Sequence, residues 1–399
     1  MSALPPPRNR RELMALLTDA CELEHGIACS YLYAAFSLKK QSFDRGLTPE
    51  QLRLTRYWAS QIFFVAGEEM LHLAQAWNLL AAIGAAPYCL RPNLPQDSRY
   101  YPIRARLSLE PFGVGALRRF ITYETPAEAT LPWVVRAARL SRSERAKGHV
   151  TIGALYEAIA EGFSSIPGII VASRVEQIGP ASAIFPDLVQ VHDIDSAARA
   201  VAMITHQGEG TTPDRIDCHY GVFRAMLESL QQERRRAGES FEPARPVMEN
   251  PVSDSVNGYG ANAHPIRNPV TRRAAELFDG VYALMLQSLA LAFQPGAHEG
   301  ASRLAAAAAI EAMAAVVRPL GEALTTMPSG RGRSTAGPAF GLVRFAGLVQ
   351  EPVLALQILG ESLQQFAQEA DALGELCPHR GEFEVSASRM REIAARMNA

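Results

Sequence analysis

The stretch Glu68-Glu69-Met70-Leu71-His72 decides the fold, because it places a carboxylate and an imidazole on one side of a long helix. Apolar periodicity predicts that this helix runs from about Pro49 to about Gly84. Glu69 and His72 are three residues apart and therefore share a helix face. An ionisable pair on an apolar face is costly unless another group compensates its charge. The apolar side chains on this face are Ile62, Val65, Ala66, Leu73, Ala76 and Leu80.

A Glu-x-x-His pair on the buried side of a long helix is the ligand pair of di-iron carboxylate bundles. Such bundles also need a second pair of this kind and one glutamate from each of two other helices. The alternative is that Glu69 and His72 bond only to each other or lie at a solvated edge, since an isolated motif arises easily by chance. The other helices therefore decide between the two interpretations.

The preceding helix, predicted from about Arg11 to about Lys40, carries one carboxylate on its apolar stripe. This carboxylate is Glu24, whereas Glu22 has more polar neighbours and is predicted to lie on a wetter face. A core position for Glu24 requires a partner for its charge, which favours the metal interpretation of the pair in the next helix. The residues three and four positions from Glu24 are Ala20, Cys21, Ile27 and Ala28.

Two further segments offer less regular candidates. A helix predicted over about 143–165 carries Glu157 beside a bulky apolar stripe, among small residues that would leave room for a metal. Glu209 lies between two glycines, which is a poor choice for helix stability and favours a functional reason for it. Its histidine partner stays open, because His206 gives the motif in reverse order and His219 requires the intervening chain to fold inward. The competing interpretation places Glu209 and His219 at solvated helix ends.

Composition narrows the class of protein. The chain has 399 residues, of which 48% are hydrophobic and 20% charged, so it is long enough for two folded domains and is neither disordered nor fibrous. The net charge of −2 gives no argument for nucleic acid or an anionic membrane as partner, and no uninterrupted apolar run of about 18 residues predicts a membrane span. Five cysteines without C-x-x-C spacing favour a reducing compartment. We therefore expect a cytoplasmic protein.

Helical periodicity continues through the rest of the chain, interrupted by residues 238–269, which are rich in Gly, Pro, Asn and Ser. This interruption is predicted to be a linker or a long ordered crossover. We expect one unit over 1–240 and a second over 270–399, joined by 241–269. Helices of the second unit are predicted over about 270–294, 300–326, 337–346, 350–373 and 384–397.

Several short motifs occur in an order that resembles a known family. Over about residues 10–235, the chain resembles the ferritin-like domain of the iminophenyl-pyruvate dimer synthase type. That domain occurs in the large enzymes of violacein and indolocarbazole assembly and in smaller stand-alone proteins. The motifs that carry the resemblance are Glu24-His25, Ser30-Tyr31-Leu32, Glu68–Leu73, Ala85-Ala86-Pro87, Thr151-Ile152-Gly153, Tyr156–Ile159, Gln207–Gly210, and His219-Tyr220 with Phe223.

The resemblance implies an all-α fold, in which a ferritin-like four-helix bundle is followed by a second helical bundle-like domain. It implies two iron ions as Fe²⁺, with Mn²⁺ as the other metal considered, and an oxidative role in specialised metabolism. By matching motif positions it assigns six ligands and keeps His206 in reserve. The six are Glu24, Glu69, His72, Glu157, Glu209 and His219.

The function expected from such a site is that of a non-haem di-iron oxidase or oxygenase. Its substrates would be O₂ and an amino-acid-derived small molecule or a peptide, and neither nucleic acid nor a membrane is an expected partner. A homodimer is the assembly considered. Two alternatives stay open, namely an iron-binding or ferroxidase-type protein without an organic substrate and a metal-free helical interaction scaffold.

Overall fold

The structure is a computed structural model of the chain. In the part of the chain that it describes, helices dominate, as the sequence predicts, and the named strands are two residues long. The described residues are 4–96, 106–126, 151–171, 177–179, 185–210, 216–238, 241–253, 262–294, 299–342, 347, 351–377 and 380–398.

Helices α1 (Arg10–Ser37) and α2 (Pro49–Ala82) are the two long helices that the sequence predicts. Side chains that accept backbone N–H groups fix where they begin: Asn9 caps α1, and Thr48 caps α2 within a capping box. The two helices pack along each other.

Helix α1 is the central helix of the structure, because every residue from Ala20 to Ser37 except Leu32 is buried. A helix that is apolar and covered on all sides is typical of a core position. The expectation of a wetter face for Glu22 is therefore wrong. Glu22 is buried, and Tyr88 Oη donates a hydrogen bond to its Oε1 at 3.1 Å.

Four shorter helices complete the N-terminal bundle around α1 and α2. Helix α3 packs against α6, α4 packs against α1 and α5, and both α5 and α6 contact α2. Residues 143–150 of the predicted third long helix lie outside the described residues. The four helices are α3 (Val114–Tyr123), α4 (Ile152–Ser165), α5 (Ile194–Gly208) and α6 (His219–Ala237).

The described part of the segment between 238 and 269 is bonded to the rest of the protein as an ordered crossover. Arg245 N donates to Ser37 O at 2.8 Å, at the end of α1, and Met248 N donates to Thr335 O at 2.9 Å. Two short strands, β1 (Pro251–Val252) and β2 (His264–Pro265), pair in parallel. These residues therefore form an ordered crossover and not a linker.

The C-terminal helices largely follow the predicted pattern. The helix predicted over 300–326 has a π-helical turn at Met313–Val317, in which Arg318 N donates to Met313 O. The wider turn comes just before Pro319, whose ring lacks the N–H and would collide with the carbonyl of Ala315 in a continuous α-helix. The helices are α7 (Pro269–Ala292), α8 (Glu299–Ala312), α9 (Arg318–Leu324), α10 (Pro352–Leu376) and α11 (Arg380–Met397).

The helix predicted over 337–346 is wrong for its described part, because residues 337–342 are not helical. Phe340 has a positive φ of 51°, which a helix does not allow. Side chains of other elements take up the backbone donors here: Gly341 N donates to Asp279 and Leu342 N to Asn93, both at 2.8 Å.

The Phe340 ring joins the two halves of the chain in one apolar core. Its centroid lies 5.1 Å from those of Phe278 and Tyr282 on α7, and 6.4 Å from that of Phe36 on α1. The domain boundaries at 240 and 270 stay a prediction, since this core is shared across them.

Two helical stretches are long and apolar enough to cross a membrane by length and composition alone. They are Pro269–Ala292, with 78% of the apolar window buried, and Gly300–Leu324, with 50% buried. Core helices of soluble proteins pass the same test, so these stretches are weak grounds for a membrane span.

Asp279 on α7 gives the fold a pH dependence that can be measured. Burial raises its pKa to about 7, although Ser253 Oγ and Gly341 N donate hydrogen bonds to it at 2.5 and 2.8 Å. A carboxyl with a raised pKa favours folding while it is protonated. Its contribution is complete below the unfolded pKa near 3.8 and is lost as the pH rises to about 7.

We predict that Asp279→Asn, which stays neutral, flattens this dependence. Between pH 4 and 7, the free energy of unfolding of the unsubstituted protein should fall more steeply, by up to about 1.4 kcal/mol per pH unit. Urea unfolding of both proteins at several pH values measures the two slopes. Equal slopes would contradict the assignment of a raised pKa to Asp279.

Candidate metal centre

The first group of possible ligands brings α1 and α2 together. His72 Nδ1 lies 3.1 Å from Glu69 Oε2 and 3.7 Å from Glu24 Oε2. All three side chains are buried, and their ligand atoms lie within 4.8 Å of one another. The structure therefore brings Glu24 of α1 together with the Glu69–His72 pair of α2.

The second group uses the other side of the same Glu69 carboxylate. His219 Nδ1, from the first residue of α6, lies 2.8 Å from Glu69 Oε1 and 3.7 Å from Glu124 Oε1. These three side chains are also buried and within 4.8 Å of one another. Glu69 is shared by both groups, so it would be a common ligand if each group held a cation.

Two buried atoms in the second group have no hydrogen-bond partner: Glu69 Oε1 and His219 Nδ1. They are close enough to interact, but their directions do not satisfy the geometry of a hydrogen bond. Buried polar atoms without partners are rare and call for an explanation such as an ion. Carboxylate oxygens and imidazole nitrogens are ligands of divalent iron and manganese, so the residues present fit a metal.

Each histidine of the two groups is oriented by a bond from its far nitrogen. His72 Nε2 lies 2.9 Å from Gln207 Oε1, and His219 Nε2 lies 3.0 Å from Glu68 Oε2. Since both partners offer an oxygen acceptor, Nε2 carries the proton in each ring. The Nδ1 atoms then face the carboxylates, and this outer partner fixes the tautomer that ligates a metal.

Two buried phenols hold the outer carboxylates. Tyr156 Oη donates to Glu24 Oε1 at 2.6 Å, and Tyr31 Oη donates to Glu124 Oε1. Burial, reinforced by these carboxylates, raises the pKa of both tyrosines well above the ordinary value. Both therefore stay protonated and act as hydrogen-bond donors.

Protons compensate the carboxylates in this arrangement. Burial disfavours a charged His72, but the charges of Glu69 and Glu24 outweigh it and raise the pKa of His72 to about 10. The pKa of His219 is likewise raised well above its usual value, since Glu69 outweighs the effect of burial. Burial raises the pKa of Glu24 to about 7. A bound cation would displace such protons, because a ligating nitrogen or carboxylate must be deprotonated.

Glu209 lies beside the two groups but belongs to neither. Its buried carboxylate accepts a hydrogen bond from Gly153 N at 2.5 Å, in the first turn of α4, and burial raises its pKa to about 8. Together with Glu24, Glu69 and Glu124 it lines a cavity of about 10 Å³, which has room for about one water molecule.

The other two sequence candidates belong to neither group of buried ligands. Glu157 is exposed on α4, and His206 is exposed in the last turn of α5. Glu157 lies at the edge of the apolar stripe of α4. The large apolar side chains of this stripe pack against α1 and α5, so the edge that carries Glu157 faces the surface. The buried cluster therefore contains Glu124 in place of Glu157, and His219 rather than His206.

Sequence reasoning missed Glu124, which ends the short helix α3 as its C-cap residue. A signal for it was present, because Leu117, Phe120 and Ile121 precede it by seven, four and three residues on one helix face. A helix of 10 residues next to a proline-rich loop has a shorter periodic pattern than the long helices, so its signal is weaker.

The family comparison agrees with this geometry. The ferritin-like family model matches residues 17–228, and the chain belongs to the ferritin-like family. It is 32% identical, over 92% of its length, to a dichlorochromopyrrolate synthase from Lentzea aerocolonigenes. It is 29% identical, over 84% of its length, to a 2-imino-3-(indol-3-yl)propanoate dimerase from Chromobacterium violaceum.

The chain spans 39% and 35% of the length of these two curated relatives. Among solved structures, a ferritin-like protein from Caulobacter vibrioides is similar over 72% of this chain and 88% of its own, with 20% identity and a TM-score of 0.43. The family predicted from the motifs is confirmed by the family model and the curated relatives together.

We predict that Gly153→Ala destabilises the protein through Glu209. A Cβ at this position would lie 2.7 Å from Glu209 Cδ, so the carboxylate would lose its backbone donor. The expected cost is about 1–3 kcal/mol of unfolding free energy. Gly300→Ala is the matched control, because Gly300 is also the second residue of a helix and has nothing within 4 Å of its Cβ position. The control should be neutral or stabilising.

A double-mutant cycle with Glu209→Ala identifies the cause. Urea unfolding should give a much smaller cost for Gly153→Ala once the Glu209 carboxylate is absent. If the cost is the same in both backgrounds, Gly153 does not act through Glu209.

Proposed function

We propose that this protein is an oxidoreductase with a two-metal centre, which uses O₂ to oxidise an amino-acid-derived or peptide-bound substrate. The single observation that carries the proposal is the position of Glu69 between two buried groups of ligands. A structural ion pair needs one partner for each charge, whereas this carboxylate presents one oxygen to each group. The names of the two curated relatives, a synthase and a dimerase, support an enzymatic role.

Two iron ions are the cofactor we propose, with Mn²⁺ as the alternative. When bound, they would supply the redox chemistry with O₂. In the proposed site, Glu24 and His72 hold one position, Glu124 and His219 hold the other, and Glu69 is common to both. Glu209 is close enough to join as a further carboxylate.

The surrounding residues of this chain orient the ligands and keep water out. Gln207 and Glu68 accept hydrogen bonds from Nε2 of the imidazole rings, and Tyr156 and Tyr31 each donate a hydrogen bond to an oxygen of the outer carboxylates. Apolar groups such as Ile152 and Ile204 line the cavity beside the cluster. A dry site strengthens electrostatic interactions within it and protects reactive species from water.

The substrate class is proposed from the relatives, whose names refer to a dichlorochromopyrrolate and to a 2-imino-3-(indol-3-yl)propanoate. The second of these names refers to an imino acid, and we propose an amino-acid-derived substrate on that ground. We also propose a reducing, cytoplasmic environment, which suits the five free cysteines.

A second candidate function is that of a ferroxidase-type protein, which oxidises Fe²⁺ without an organic substrate. The observation that favours it is the small cavity beside the cluster, since about 10 Å³ admits O₂ or water but no amino acid. Both candidates share the same ligands, so they differ only in what is oxidised.

Metal content tests the centre itself. After anaerobic loading with Fe²⁺, elemental analysis should find two metal ions per chain. Glu69→Gln keeps the volume of the side chain but should lose both, because Glu69 belongs to both groups. His72→Ala and His219→Ala should each lose one, since each histidine belongs to one group. Full occupancy in Glu69→Gln would contradict the two-metal centre.

Glu157→Gln is the control for these variants, because Glu157 is an exposed carboxylate on the neighbouring helix α4. It should retain both metal ions. A protein that binds no metal in any form would instead support a helical interaction scaffold.

Oxygen uptake separates the two redox functions. The loaded protein is supplied with L-tryptophan or L-phenylalanine, or with their 2-oxo acids and ammonium, which form imino acids. Uptake that continues and consumes the organic compound supports the oxidase. Uptake that stops once the added Fe²⁺ is oxidised, with the compound unchanged, supports the ferroxidase and contradicts the proposed substrate class.

A further inference from the structure

A second cavity, of about 310 Å³, lies at the end of α1 that is remote from the candidate metal centre. Gln41 and Phe43, which follow α1, form one wall, and Ala314, Arg318 and Pro319 form another. Along α1, Glu24 and Ser37 are separated by 13 residues, or about 20 Å of helix. The cavity is therefore separate from the site described above, and its volume falls at the lower end of small-molecule pockets.

The π-helical turn places Arg318 in the wall of this cavity. Because Arg318 N bonds to Met313 O in the wider register, α9 is rotated relative to a continuous α-helix. Turns of this kind are unusual and occur frequently at functional sites. The π-helical turn therefore determines the direction in which the Arg318 side chain faces the cavity.

The Arg318 guanidinium is held in place but keeps donors for a ligand. Its Cζ lies 4.2 Å from the Phe63 centroid, and its Nε lies 3.2 Å from Glu322 Oε1. Among the described residues, neither of its Nη groups makes a hydrogen bond. A planar guanidinium with two free amino groups recognises a carboxylate in a bidentate manner.

The other basic groups near the cavity are already compensated. Arg245 bonds to both carboxylate oxygens of Asp44 at 2.9 Å, and Lys40 Nζ lies 3.4 Å from Glu322 Oε1. Arg318 shares that same Glu322, so one carboxylate serves two cations. Glu322 therefore compensates Lys40 and Arg318 together, and Arg318 has no carboxylate of its own among the ion pairs of the described residues.

The rest of the lining is suited to an apolar group. Phe43 is 59% exposed, although it is a large aromatic side chain. Pro319, Ala314 and Ala323 complete the apolar part of the wall. Glu382 of α11 also lines the cavity.

We propose that this cavity binds a small carboxylate with an apolar group, with the carboxylate on the Arg318 guanidinium and the apolar group against Phe43. It is a second binding site of the protein. Its existence does not depend on a metal in the ferritin-like bundle, so its test is independent of the proposed function.

Calorimetric titration of the full chain tests the site with three probes. These are 3-phenylpropanoate, its neutral analogue 3-phenylpropan-1-ol, and L-phenylalanine, which adds an ammonium group. The two acids should bind at least tenfold more tightly than the alcohol, because the alcohol cannot pair with Arg318. Tighter binding of L-phenylalanine than of 3-phenylpropanoate identifies an amino acid as the ligand class, and the reverse order identifies a simple organic acid.

Two variants assign the binding to this cavity. Arg318→Gln should weaken 3-phenylpropanoate at least tenfold, and Phe43→Ala should weaken it several-fold while the preference for acid over alcohol remains. The matched control is Arg272→Gln on α7, because Arg272 also pairs with a glutamate four residues on, Glu276, and lies outside the cavity lining. It should leave the affinity unchanged.

Several results would overturn the proposal. One is the absence of saturable binding of either acid up to about 10 mM, which corresponds to negligible affinity. Another is equal binding of acid and alcohol. A third is unchanged affinity in Arg318→Gln, whose exposed side chain can be replaced without loss of folding, as thermal unfolding would verify.

Discussion

The structure depends on one constraint, which is that the Glu69 carboxylate lies buried in α2 and has to be compensated there. One of its oxygens faces His72 on the same helix, and the other faces His219 from α6. This fixes the relative position of the two helices and brings Glu24 and Glu124 close to them. Replacing a buried ionic cluster with apolar residues of similar volume is often neutral or stabilising, so stability alone does not account for these buried charges.

The C-terminal half of the chain helps to position this cluster without supplying any of its described ligands. His25 follows Glu24 on α1, and its Nε2 lies 2.5 Å from Tyr282 Oη on α7. On an adjacent face of the helix, Tyr156 Oη donates a hydrogen bond to Glu24 itself. Since neighbouring residues of a helix point about 100° apart, these two bonds fix the rotation of α1. The aromatic contacts of Phe340 hold α7 against it.

The sequence predicted the two long helices, and it placed Glu24, Glu69 and His72 on apolar stripes that the structure brings together. It did not predict Glu124, since the short helix α3 takes its place by packing on α6 and α1. Glu157 lies at the edge of a stripe, a position that allows either side, and the structure places its side chain at the surface. The composition of residues 337–342 predicts a helix, but their backbone N–H groups donate to the side chains of Asp279 and Asn93 instead. Such long-range contacts leave no local pattern.

The outer hydrogen bonds make the two halves of the cluster chemically unequal. His72 donates its Nε2 proton to a neutral amide, Gln207, whereas His219 donates to a carboxylate, Glu68. A carboxylate partner raises the basicity of the opposite ring nitrogen more than an amide does. For any cation bound there, His219 is therefore the stronger donor, and the group with Glu124 is the tighter of the two. The group with Glu24 would then be the position at which a ligand exchanges more readily, although residues of both groups, Glu24 and Glu124, line the cavity together with Glu209.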